Sequence, residues 1–270
     1  MTKVLDCFLF THEFDLLELR LRTLWPVVNK FLLMEGDHNF SNKPKPMRFD
    51  EQKERFEWAK DKLTVVRLKG PMNGVQETTV HGELFIEHQH RQALYNAAIG
   101  LGKTNKLDYN DILLISDVDE IPSREVVYGL IADPYFPSPI LFNQDFYYYN
   151  IKCHRGKRWH GTMAMRLGYK LGDVGAARMN RKFMAKIDKN CGWHLAHFYD
   201  SESINEKLLH SSHQGYYSPD FYDPEHLKKC VAENKSYLGK ADGDLPPEPL
   251  PCYLLDELKR FPIMMGEEWR

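Results

Sequence analysis

Four short apolar runs, Val4 to Phe10, Val27 to Met34, Leu63 to Leu68 and Asp111 to Ser116, alternate with segments of helical spacing, and that alternation narrows the available folds most. The first run is interrupted only by Asp6 and leads into Phe14, Leu17, Leu21 and Leu24, spaced as one apolar helix face. With the run Val27 to Met34 this completes a β-α-β unit. The turn-forming loop EGDHNFSNKPKP, Glu35 to Pro46, precedes a charged helical segment around Glu51 to Lys60 and the strand-like LTVVRL. A longer helix is predicted from His81 to Leu101, with Leu94, Ala97, Ala98 and Leu101 on one face and Gly100 and Gly102 near its end. Strands separated by helices predict an α/β domain with a mostly parallel, twisted central sheet, whose ligands gather at the carboxyl ends of the strands. The polar loops after Phe10, Met34 and Ser116 are therefore expected to share one rim.

The 270 residues are read as a single domain, 1–270, with three parts at 1–135, 136–240 and 241–270. The middle part is aromatic and irregular, and it is expected to complete the pocket. The proline- and acid-rich end is expected to wrap the surface. A net charge of -2 removes the global electrostatic case for nucleic acid as a partner, so any phosphate binding has to be local. Five scattered cysteines without a C-x-x-C pair suggest neither a disulfide framework nor a zinc site. The opening MTKVLDCFLFTHEFD is unlike a signal peptide and too short in its apolar part to span a bilayer, which makes a cytoplasmic location the expectation.

The strongest local signal is ILLISDVDEIPS, an apolar strand that runs directly into Asp117, Val118, Asp119 and Glu120 and then into the helix-starting Pro122-Ser123. Alternation along an extended chain lets Asp117 and Asp119 face one pocket. Two convergent carboxylates with no balancing lysine near them in sequence repel each other, and a divalent cation with oxygen ligands, Mn²⁺ or Mg²⁺, relieves that repulsion. The competing reading is a solvated turn and helix cap, for which Asp is equally suited. Glu13 follows the first strand and Glu35 the second, so both are expected near the ligand rim, unless each is an ordinary first-turn or loop acid. Arg91, within HRQALYN, is expected to brace the acidic turn or a phosphate, with a surface ion pair as its alternative. For the basic run Arg178, Arg181, Lys182, phosphate binding competes with simple solvation.

Taken together, DCFLFTHEFDLLELRLRTL, FLLMEGDHNFSNKPKP, HRQALYNAAIGL, ILLISDVDEIPSREV, GWHLAHF and ESINEKLLHSSHQ resemble glycosyltransferase family 17, while the region after residue 143 diverges. The animal members of that family are the β-1,4-mannosyl-glycoprotein β-1,4-N-acetylglucosaminyltransferases. The resemblance implies a GT-A-like fold, with 1–135 binding the nucleotide sugar and 136–240 the acceptor. It also implies a UDP-sugar donor, UDP-GlcNAc above all, a glycan acceptor, and inversion at the anomeric carbon. It assigns Asp119 to the metal and Asp117 to the metal shell or the ribose. His194 of GWH becomes a further metal or diphosphate contact, with His213 as its rival, and Lys207 a phosphate neutraliser. Tyr148, Tyr149 and Trp159 are expected to form the acceptor's aromatic platform. An inverting transferase needs a general base, and Asp145 is preferred over Asp173 and Asp200. Two other readings stay open, a non-catalytic carbohydrate-binding module and a metal-dependent phosphatase or nucleotidyltransferase. Against the phosphatase stands the continuation Glu120-Ile121-Pro122, where haloacid dehalogenase-type phosphatases usually carry a Gly-Thr pair.

Overall fold

The structure, a computed structural model, describes residues 2–72, 80–179, 181, 184–200, 203–204, 206–207 and 223–267. Strands β1 (Val4–Phe10), β2 (Lys30–Gly36), β3 (Leu63–Leu68) and β4 (Ile112–Asp117) form at the four apolar runs. They are followed by β5 (Glu120–Pro122), β6 (Ile140–Tyr148), β7 (His154–Arg166) and β8 (Ala185–Ala196). Among the described residues one eight-stranded sheet runs in the order β3-β2-β1-β4-β7-β6-β8-β5. The half from β3 to β4 is parallel throughout, β7 is antiparallel to both of its neighbours, β6 and β8 are parallel, and β5 pairs antiparallel with the edge of β8. This is the mostly parallel α/β sheet that the alternation predicts.

Period-two alternation in β1 sorts the core into two layers. Val4 and Phe8 point to the layer shared with α1 (Phe14–Leu24), α3 (Arg124–Ala132) and α6 (Cys252–Leu258). Leu5 and Cys7 point to the opposite layer, covered by α2 (Val80–Thr104) and α4 (Val174–Met179). A further helix, α5 (Pro224–Ala232), packs Leu227 and Cys230 onto the first layer. Among the described residues no helix is long and apolar enough to cross a membrane.

The structure departs from the sequence expectations in three places. β2 starts at Lys30, because Val27 and Val28 donate back to the Leu24 carbonyl, both at 3.0 Å, and finish the turn after α1. The charged segment near Glu51 forms two 3₁₀ stretches, Phe49–Glu51 and Lys53–Ala59, that bury Phe49 and Phe56. The C-terminal segment does more than wrap the surface. After Gly243 and Leu245 bond to the β7 carbonyls of Arg155 and Gly156, it inserts Leu254, Leu258, Phe261 and Met264 into the core beside α1.

Asp6, the one polar residue of β1, is fully buried on the α1 side, and so is Arg20, which lies one turn along the helix face from Leu17. The Arg20 guanidinium donates to both Asp6 carboxylate oxygens, at 2.8 and 2.6 Å, and to Ser116 Oγ at 2.6 Å. Its remaining nitrogen donates to the carbonyls of Asp117 at 3.0 Å, Val118 at 3.3 Å and Glu120 at 2.9 Å. One side chain thus ties α1, β1 and the turn after β4 together, and its fork satisfies backbone acceptors of that turn.

Replacing Arg20 with Met should strand a buried carboxylate and lower the unfolding free energy by about 3–5 kcal/mol, measured by urea denaturation. The double variant Asp6→Leu/Arg20→Met should recover much of that stability without restoring the turn geometry. Equal stabilities of Arg20→Met and wild type would contradict this role.

Candidate active site

β4 ends at Asp117, and two residues later the chain enters β5, so Asp117 and Asp119 face one cavity of about 240 Å³ at the carboxyl end of the parallel strands. The turn between them is held from three sides. Asp117 N–H donates to Glu120 Oε2 at 3.0 Å, Arg20 holds the carbonyls, and Leu195 N–H donates to the Asp119 carbonyl at 2.9 Å. β5 pairs with β8 so that Glu120 lies opposite His194. Gly192 makes this pairing feasible. Its φ is +141°, and a Cβ there would sit 2.2 Å from the Ile121 carbonyl oxygen. The glycine of the GWH stretch therefore has a backbone reason, and His194 is delivered to the cavity wall as a result.

Four cations line this wall, and three of them pair with its carboxylates. Arg91, from α2, donates to both oxygens of Asp117 at 3.0 Å and pairs with Glu87 one turn earlier. Arg178, from α4, bridges Asp117, at 2.9 Å, and Glu120, and donates to the Gly161 carbonyl at 3.0 Å. Lys207 Nζ lies 2.8 Å from Asp119, 3.4 Å from Glu13 and 3.3 Å from the Tyr199 hydroxyl. Arg181 donates to the carbonyls of Arg178 and His160 at 2.8 and 2.7 Å, packs over Trp159, and has no carboxylate partner among the described residues. Glu13 does not cap its own helix with its side chain. Its carboxylate turns back to accept from the backbone N–H groups of Thr11 and His12, at 2.8 and 2.9 Å.

Burial by itself raises a carboxyl pKa, but at Asp117 the guanidinium groups of Arg91 and Arg178 outweigh it and hold the acid at about 2. Burial is likewise overcome at Asp119 by Lys207 and His194, which keep it well below the usual carboxylate range. Lys207, despite desolvation, is held well above the ordinary lysine range by Asp119, Tyr199 and Glu13. Burial and then neighbouring Arg178 bring Arg181 down to about 10, still charged near neutrality. The repulsion argument for a metal therefore does not hold. Charges distant in sequence, Arg91, Arg178 and Lys207, already balance the two aspartates.

A cation can still be accommodated. His194 Nε2 lies 3.7 Å from Asp119 Oδ1. Two donors at that spacing can share one ion at metal-donor distances of about 2.0–2.2 Å. Asp117 has its oxygens engaged by two guanidinium groups, so it suits the outer shell better than direct ligation. Among the described residues no group of three or more His, Cys, Asp or Glu is arranged around a metal position. With one carboxylate and one imidazole donor, Mn²⁺ fits this site better than Mg²⁺, which prefers all-oxygen ligation, and water and substrate phosphate would complete the shell.

Several predicted site residues lie elsewhere. Glu35 is fully buried but outside the cavity, where it accepts from Arg48 and Phe49 N–H and pairs with Arg67, fixing the loop after β2. Asp145 is also fully buried and outside the cavity. Arg158 pairs with it, and Asn190 Nδ2 and Glu248 N–H donate to it at 3.0 and 3.3 Å, so it cannot reach an acceptor as a base. Neither Asp173 nor Asp200 lines the cavity; they accept from Ala176 and Ser203 N–H. Tyr148 packs among Phe146, His197 and Tyr237, and Tyr149 bonds Lys235 and Tyr237, so neither offers a sugar platform. Of the three aromatics only Trp159 lines the cavity, with Nε1 donating to Glu120 at 2.6 Å. His213 and Lys182 lie outside the described residues. Arg178, for which phosphate binding and solvation competed, is buried at the centre of the site, and Phe40 and Glu87 join the wall unforeseen. The basic run marks Arg178, but no local pattern marks Phe40 or Glu87, because each arrives from a separate loop or helix.

The sequence profile described as Glycosyltransferase family 17 matches residues 1–239. The chain is similar to the "Beta-1,4-mannosyl-glycoprotein 4-beta-N-acetylglucosaminyltransferase" of Rattus norvegicus and that of Homo sapiens, each 27% identical over 144 residues. Those alignments cover 52% of this chain and 26% of each relative, so the match spans about a quarter of the relatives' length. Among solved structures, 4-diphosphocytidyl-2C-methyl-D-erythritol synthase aligns over 73% of this chain and 90% of its own, with 10% identity and a TM-score of 0.40. The apo-form glycosyltransferase GlyE of Streptococcus pneumoniae TIGR4 aligns over 70% and 45%, with 9% identity and a TM-score of 0.33.

The folded-state pKa of Asp117, about 2 against an ordinary 3.8, has a definite sign for stability. Its contribution is complete above the ordinary value and is lost as pH falls through the folded value, and Asp119 and Glu13 are displaced in the same direction. The unfolding free energy from urea titrations should therefore fall between about pH 4 and about pH 2, with a shallower fall in Asp117→Asn. A flat profile in that window would refute the charge assignment.

Proposed function

The chain belongs to glycosyltransferase family 17, and from that premise we propose that it transfers a sugar, GlcNAc in the first instance, from its UDP conjugate to a glycan hydroxyl with inversion. The observation that carries this reading is the acidic turn itself. Asp117 and Asp119 stand at the carboxyl end of a buried parallel strand, in a cavity whose remaining charges are cationic enough to receive a diphosphate.

Each wall residue has a definite task in this reading. Asp119 and His194 would hold a Mn²⁺ or Mg²⁺ ion. When bound, such a cation acts as a Lewis acid on the diphosphate and stabilises the charge that develops on the departing UDP. Lys207 lies within reach of the same carboxylate and can turn its ammonium to the phosphates once a cation takes over Asp119. Arg181, bonded only to carbonyls among the described residues, keeps a guanidinium face for a phosphate oxygen. Arg91 and Arg178 fix Asp117, which orients the turn and contacts the donor's ribose. Glu13, locked by two backbone N–H groups, fixes the position of Lys207 from the opposite side. Trp159 gives the sugar an apolar face beside His194, 4.7 Å between ring centroids.

A panel of nucleotide sugars, scanned by thermal shift with and without Mn²⁺, tests the donor. The true donor should raise the melting temperature with the logarithm of its concentration, and more so with metal. Asp119→Ala should cost at least about a hundredfold in transfer rate. Arg91→Met, which touches only the positioning of Asp117, should cost about 10- to 100-fold. If no nucleotide sugar shifts the protein in the presence of metal, and Asp119→Ala behaves as wild type, the assignment is wrong.

A further inference from the structure

A side cavity of about 30 Å³ opens beside the main one and shares Leu9, Thr11 and Phe40 with it. Two nitrogens in its wall, Lys45 Nζ and His90 Nε2, have no hydrogen-bond partner among the described residues, and both are shut off from solvent. A buried polar atom left unpaired is costly, and two around one small space call for a shared cause. Their positions are imposed by the fold. Lys45 is drawn in by its own backbone, whose N–H donates to the Asp37 carbonyl at 2.8 Å. His90 comes down from α2, is 6% exposed, and meets the edge of Phe40 with ring centroids 5.3 Å apart. Gly36 leaves it room, since a Cβ there would stand 3.1 Å from His90 Cε1.

Leu9, Phe10, Met34 and Phe40 give the wall its apolar surface, and Thr11, His38 and Asn39 add polar groups beside it. That combination suits the edge of a flat heteroaromatic ring. A space of this size holds one or two water molecules or the edge atoms of a ring, not a whole ring, so the body of such a ring would rest in the main cavity against Phe40 and Leu9. Burial, and then the nearby charges of Lys45 and Arg91, push the His90 pKa down to about 4, so its imidazole is neutral near pH 7 and one nitrogen accepts. Lys45 can only donate.

Resting on the transfer proposed above, we propose that this side cavity reads the base of the donor nucleotide, with Lys45 donating to a ring carbonyl and His90 accepting from the adjacent ring N–H. Uracil presents that acceptor and donor side by side. Cytosine reverses them, setting an amino group against the ammonium and a bare ring nitrogen against the imidazole. Lys45 and His90 are thus specificity-determining residues, separate from the groups that hold the diphosphate.

Calorimetric titration of UDP, CDP and inorganic pyrophosphate, each with Mn²⁺, tests this on the wild type, Lys45→Met and His90→Phe. Wild type should prefer UDP to CDP by at least about tenfold. Lys45→Met should weaken UDP by about 10- to 100-fold and bring the UDP:CDP ratio close to one, while pyrophosphate binding stays within about twofold. Should Lys45→Met fail to fold, as judged by its melting transition, His90→Phe carries the same expectation. Variants that fold and keep the wild-type UDP:CDP ratio would overturn the assignment and leave the cavity to water. Equal losses for pyrophosphate and UDP would overturn it too. A wild type that binds UDP no more tightly than pyrophosphate also defeats it, yet leaves sugar transfer to be judged by its own donor panel.

Discussion

The buried pairing of Arg20 with Asp6 is the interaction on which the rest of this structure depends. A charge in the middle of a core strand is tolerable only with a partner that matches its geometry, and Arg20 supplies a bidentate one. The remaining donors of the same guanidinium go to Ser116 Oγ and to three carbonyls of the turn that carries Asp117 and Asp119. Turn carbonyls next to a strand end are otherwise hard to satisfy away from water. The ion pair therefore costs desolvation but fixes the one loop whose position matters most for chemistry.

On that fixed turn the site is assembled from charges of opposite sign in close balance. Asp117 is claimed by two arginines from different helices, whereas Asp119 is claimed by one lysine and one histidine. The difference separates their roles. A carboxylate held by two rigid guanidinium forks is a positioning group, and a carboxylate shared with a flexible ammonium can exchange it for a cation or let it follow the phosphates. The contact of Lys207 with Asp119, Glu13 and Tyr199 together keeps the ammonium charged and close to both carboxylates.

Much of the sheet half that builds the rim was legible in the chain. The run LTVVRL is β3 without adjustment, and the acidic turn lies after a buried parallel strand as its apolar lead-in predicts. GWH likewise brings His194 to the site, because the glycine permits the β5 pairing. At three of the residues expected in the site, nearness along the chain did not say what the side chain meets. Asp145, Tyr148 and Tyr149 follow or belong to a strand beside the site, but their side chains point into ion-pair and aromatic clusters between β6, β7 and the C-terminal segment.

Sequence by itself determined the α/β alternation, the four parallel strands and the pair of acids at the end of one of them, because these follow from local periodicity and from the chemistry of adjacent residues. The tertiary structure alone decided which charges meet. It brought Arg20 to Asp6, Arg91 and Arg178 to Asp117, and Lys207 to Asp119 across 88 residues of chain. Pairings of that kind depend on helix placement and on the low-dielectric interior in which a charge must find its partner, and neither is written in any single stretch of the sequence.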